Sequence, residues 1–188
     1  MPKNQFLRLT TVFYAALALI ALALNRLRSG EYTPFQLALT RQTAVLSVFA
    51  AGLLMAVIWV LVRLDFTFMR CILDKLRRFK PLLIELNQAE KIYISVLAGF
   101  SEELLFRGFL QPLWGIVVAS LIFGALHAAT FGYFILATLM GFYLGGLLHY
   151  SGDLLVPISV HALYDVFALN LLARIYRREG WQGPGQAA

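Results

Sequence analysis

The sequence predicts an all-α protein, a polytopic membrane helix bundle with about six transmembrane helices. Three observations predict it. Residues 9–25, 42–62 and 108–152 contain no Asp, Glu, Lys or Arg, and a span needs only about 20 mostly apolar residues. The chain is 60% hydrophobic and 14% charged, against roughly half and a quarter in a soluble domain, so too few polar groups remain to cover an outside in water. The basic residues, finally, are segregated along the chain in the way that membrane topology demands.

Taken in order, the expected spans are 7–25, 42–62, 92–111, 113–129, 133–150 and 154–172. Helices are expected because lipid offers backbone groups no partner. A β-barrel would need alternating segments of about 10 residues, and these runs are longer and uniformly apolar. The start, Met1-Pro2-Lys3-Asn4, enters the first apolar run with no small-residue cleavage site, so the run reads as a retained span. Between the second and third spans, Met69, Ile72, Leu73, Leu76 and Lys80 follow helical spacing, with Asp74, Lys75, Arg77 and Arg78 on other faces. That stretch reads either as an amphipathic helix in the interface or as a charged linker with helical character. After Arg178 come Gly180, Gly183, Pro184 and Gly185, the composition of a loose tail. The organisation expected is therefore 1–91 (two spans and the linker), 92–172 (a four-helix core) and 173–188 (a disordered tail).

With the N-terminus in the cytoplasm, that side holds Lys3, Arg8, Arg63, Arg70, Lys75, Arg77, Arg78, Lys80, Lys91, Arg174, Arg177 and Arg178, and the opposite side only Arg26, Arg28 and Arg41. The expectation is N-in and C-in. The net charge of +6 then lies where topology puts it and argues against nucleic acid as a partner. The single cysteine, Cys71, excludes an intramolecular disulfide.

The sixteenth basic residue, Arg107, lies inside a span, in Ser101-Glu102-Glu103-Leu104-Leu105-Phe106-Arg107. At a helix centre an acid or a base costs about 2.5–3.5 kcal/mol, and each Leu or Phe returns about 0.3–0.6. Such groups face a bundle interior or a wet cavity and mark function. Glu103 and Arg107 are four apart and share a face. Glu102 lies about 100° away around the helix and is left for proton work. A buried Glu–Arg network that only holds helices together would explain one glutamate but not two. His127 and His161 fall in two further spans, and His161 and Asp165 are again four apart. One intramembrane histidine can be a helix clamp; two, with an Asp and two Glu, are kept most cheaply in one shared polar cavity. His149 sits at a span edge and reads as interfacial.

Glu-Glu-x-x-x-Arg, then Phe-x-x-x-His, then His-x-x-x-Asp, in this order on separate spans, resembles the CPBP family of intramembrane peptidases (CAAX proteases and bacteriocin-processing enzymes), which includes the Ras-converting prenyl-protein endopeptidase. The resemblance covers residues 92–170. It implies an intramembrane endopeptidase acting on a membrane-anchored protein or peptide. It implies that Glu102 and His127 activate water, that Glu103 and Arg107 support them, and that His161 and Asp165 stabilise the oxyanion. An ionised Asp165 cannot donate a hydrogen bond, so either Asp165 is protonated or it orients His161. Glu102, His127 and His161 are also a set that a catalytic zinc could use, although His-Glu-x-x-His is absent; the preference is for no metal cofactor, with zinc as the alternative. The short chain suggests a prokaryotic cell membrane. Two other classes stay open: a non-enzymatic scaffold or bacteriocin-immunity regulator that keeps the motifs, and a proton-coupled transporter, disfavoured by the lack of repeat symmetry.

Overall fold

A computed structural model describes residues 2–30, 36–64 and 66–178. The helices are α1 (Lys3–Ser29), α2 (Arg41–Arg63), α3 (Thr67–Leu76), α4 (Lys80–Glu85), α5 (Gln88–Leu105), α6 (Gln111–Leu126), α7 (Phe131–Ser151) and α8 (Leu155–Arg178). A 3₁₀ turn, Arg77–Phe79, joins α3 to α4, and a π turn, Phe106–Leu110, joins α5 to α6. Five helical runs are long and apolar enough to cross a membrane: α1, α2, Gln88–Leu126 as one run, α7 and α8. The protein is a multi-pass helical membrane protein.

Local chemistry starts several of these helices. Thr40 and Thr43 exchange side-chain and backbone hydrogen bonds at the head of α2, and Asn87 and Glu90 do the same at the head of α5, satisfying donors that a helix N-terminus leaves free. Thr130 accepts from Tyr133 N at 3.0 Å to open α7. The segment that leads into α2 is tied to the turn between α7 and α8. Buried Asp153 accepts from Ala38 N and Leu155 N at 3.0 and 2.8 Å, and Leu154 N donates to Gln36 O at 2.9 Å.

The long run from Gln88 doubles back. In a straight helix Glu102 and His127 would stand about 37 Å apart, yet their side chains approach to 3.7 Å. The break expected at Pro112 falls instead at Gly115, whose φ of 80° and ψ of 167° lie in a region essentially confined to glycine. Pro112 lies in the first turn of α6, one residue beyond the π turn, where Gln111 N reaches back five residues to Phe106 O. The missing proline donor is therefore absorbed in a loosened turn. The span expected at 113–129 is consequently short: from Gly115 to Leu126 it is about 16 Å long, half the hydrocarbon thickness. It packs antiparallel to α7, with Gly124 against Thr138 and Ser120 against Gly141.

Two other boundaries move. Residues 63–91 are not a free linker. Met69, Ile72, Leu83 and Leu86 are buried, Tyr176 OH donates to Leu73 O at 2.7 Å, and Arg177 donates to Ile84 O at 3.2 Å, so α3 and α4 dock on the end of α8. Residues 173–178 of the expected tail are helical, since α8 continues through Arg178 with Ala173 and Tyr176 buried; residues 179–188 lie outside the described residues. α1 packs on α5 and α2 on α8.

Candidate active site

α5 carries Glu102 and Glu103 near its C-terminal end, and the π turn that follows carries Arg107. α5 meets α8 closely because Gly99 has no side chain: a Cβ there would lie 3.0 Å from Ala162 N and Ile158 O. This contact sets His161 beside Glu103. The return at Gly115 brings His127, the residue after α6, over Glu102. Because α6 is short, His127 reaches the level of Glu102. Glu102, Glu103, Arg107, His127, His161 and Asp165 thus share one cluster.

Its two halves differ. In the inner half Glu103 is fully buried. Its Oε1 accepts from Arg107 Nη1 at 3.0 Å and lies 2.7 Å from His161 Nδ1. Arg107 also donates to Gly141 O at 2.9 Å and stacks over Phe123, 4.8 Å from the ring centroid. A buried guanidinium held by a carboxylate, a carbonyl and an aromatic face has its charge met. His161 lies between two carboxylates, since its Nε2 is 3.6 Å from Asp165 Oδ2.

In the outer half Glu102 Oε1 accepts from Tyr14 OH of α1 at 3.2 Å. Glu102 Oε2 is buried with no hydrogen-bond partner among the described residues and stands 3.7 Å from His127 Nε2. His127 keeps a side-chain exposure of 29%. Its Nδ1 lies 2.8 Å from Phe123 O, and its ring stacks on Phe123 at 4.4 Å. A carbonyl only accepts, so Nδ1 carries the proton, and in the neutral ring Nε2 is an acceptor. With the ring neutral and Glu102 ionised, two acceptors face each other across 3.7 Å. Glu103 Oε2 also lacks a partner among the described residues, but no second histidine faces it.

The three groups expected as zinc ligands do not form a ligand set. Glu102 and His127 face each other, while His161 turns both nitrogens toward other carboxylates. Among the described residues no three His, Cys, Asp or Glu side chains are placed to hold a metal ion. His149 stays away from the cluster at the last turn of α7.

A cavity of about 560 Å³ opens beside the cluster. Phe6, Leu9, Phe13, Leu83 and Leu172 are among its walls, and Tyr14, Tyr133, Tyr164 and Asp165 line it as well. Sequence reasoning missed all three tyrosines. Tyr14 was legible only as a hydroxyl within an apolar run, and spans commonly carry tyrosines for interfacial anchoring.

Fold and site together define a multi-pass membrane protein with a carboxylate–histidine centre enclosed by its helices. Residues 89–167, which hold all six cluster residues, match the family model described as type II CAAX prenyl endopeptidase, Rce1-like; the resemblance read from the three motifs is shown for this segment. Uncharacterized protein YpbD of Bacillus subtilis (strain 168) is 40% identical over 92 residues, covering 47% of this chain and 49% of that protein. The chain thus spans about half the length of the curated relative it matches. No solved structure matches.

Proposed function

We propose that the protein is an intramembrane endopeptidase that cleaves a peptide bond near the C-terminus of a membrane-anchored protein or peptide. The observation that carries this reading is the facing pair of acceptors, Glu102 Oε2 and His127 Nε2, 3.7 Å apart. A water between them would donate one hydrogen bond to each, leaving an oxygen lone pair to attack a carbonyl carbon. Glu102 takes the proton as the water adds, and delivers it to the amine as the C–N bond breaks. His161, carrying a proton on both nitrogens so that Nδ1 donates to Glu103 and Nε2 stays a donor beside Asp165, is the group we assign to the developing oxyanion. Asp165 thereby orients the histidine and does not itself donate. This chemistry needs no metal cofactor. The apolar cavity beside the cluster suits a lipid chain attached to the substrate, and the family match supports a prenylated one. The basic residues favour both termini on the cytoplasmic side of the membrane.

The test is cleavage of a prenylated C-terminal reporter peptide in liposomes by wild type and Glu102→Gln. Wild-type cleavage that is lost in the variant is expected; equal cleavage would sink the assigned base. A strong chelator should leave the rate unchanged, and loss restored by added zinc would overturn the metal-free mechanism. Inverting the reporter's access, with substrate sealed inside or outside, reads the orientation.

A further inference from the structure

Lys91 is a charged side chain that the proposed chemistry does not use. It is only 4% exposed, and its ammonium donates to Asn170 Oδ1 at 3.1 Å, a neutral acceptor. The carboxylate next to it in sequence, Glu90, is engaged elsewhere, with Lys3 at 2.9 Å and the Asn87 amide at 2.8 Å. Lys91 also sits in the first turn of α5, where the helix dipole is positive. Covering a cation there without a carboxylate is costly.

Around it lies a second pocket of about 370 Å³, lined by Lys91, Asn170, Ala173, Arg174, Arg177 and Arg178. No carboxylate among the described residues lines it. Arg177 spends one nitrogen on Ile84 O, and a guanidinium has further donors to offer. Four cationic side chains from two helices converge on a space with no described anion. The first turn of α5 and the last turns of α8 are where the ends of these spans meet the membrane surface.

We propose that this pocket binds a phosphate-bearing anion, and that its resident form is the headgroup of an anionic phospholipid. Lys91 and the arginines would bind phosphate oxygens by charge-assisted hydrogen bonds. The site lies apart from the carboxylate–histidine cluster and does not depend on the peptidase reading.

Native mass spectrometry of the full chain released from detergent tests it, with phosphatidylglycerol, phosphatidylcholine or inorganic phosphate added. Wild type and an exposed control, Lys75→Gln, should retain one phosphatidylglycerol. Lys91→Met and Arg174→Gln should each bind it roughly tenfold more weakly, the worth of one charge-assisted hydrogen bond. Retention of inorganic phosphate but not lipid, lost in the same two variants, would assign the pocket to a free phosphate. Equal retention by all four proteins, or equal retention of phosphatidylcholine and phosphatidylglycerol by wild type, would overturn the proposal. Arg174 is exposed, so its variant keeps the test decisive even if Lys91→Met fails to fold.

Discussion

Glu102 and Glu103 are neighbours in sequence, yet they face different surroundings. Glu103 is sealed, with Arg107 and His161 sharing one of its oxygens. Among the described residues Glu102 accepts from Tyr14 alone, and it turns its other oxygen toward the partly exposed His127. One residue rotates a side chain by about 100° on a helix, and here that rotation carries a carboxylate from a closed ion-pair network to a place between Tyr14 and His127. The comparison teaches that adjacent acids in a span need not be redundant: one can be fixed by its partners while the other is left reactive.

Four substitutions would break or sharpen this contrast. The largest effect is expected from Glu103→Ala. Arg107 is left buried and charged, which costs about 3–5 kcal/mol, and both folded yield in detergent and cleavage should collapse. Glu102→Gln should cut turnover by roughly 10²–10⁴-fold while thermal unfolding stays within about 1 kcal/mol of wild type. If the two variants behave alike in the unfolding assay, the division between the halves is wrong. Gly99→Val inserts atoms between α5 and α8 at a 3.0 Å contact; a loss of about 1–3 kcal/mol is expected, read by unfolding, with turnover falling because His161 moves from Glu103. The smallest effect is expected from Tyr14→Phe, which removes one hydrogen bond to Glu102. Turnover should drop by about tenfold or less with stability retained; an unchanged turnover would leave Tyr14 no part in placing the base.

What the sequence revealed about this site was set by distance along the chain. Glu103 with Arg107, and His161 with Asp165, were legible because i,i+4 spacing places them on one helix face whatever the tertiary structure. The link between Glu103 and His161 spans 58 residues and depends on α5 and α8 touching at Gly99, which no local pattern announces. The return at Gly115 was misplaced at Pro112, because proline is the stronger local breaker on paper and nothing in the sequence ranks Gly115 above Gly108 or Gly124. The docking of α3 and α4 was half legible: periodicity gave the helix, but its receptor, the end of α8, lies about a hundred residues further on. Tyr14 was hidden for the same reason, since its partner belongs to another helix.

The position of Glu102 along α5 also acts as a ruler. It lies fourteen residues from Gln88, a depth of about 21 Å along the helix axis. An extended polypeptide covers at most about 3.3–3.6 Å per residue, so six or seven residues must thread inward before a bond comes level with the carboxylate. A folded segment cannot make that passage. Under the proposed activity, cleavage would therefore be measured out from the membrane surface, and a tail too short or too tightly folded would be spared whatever its sequence.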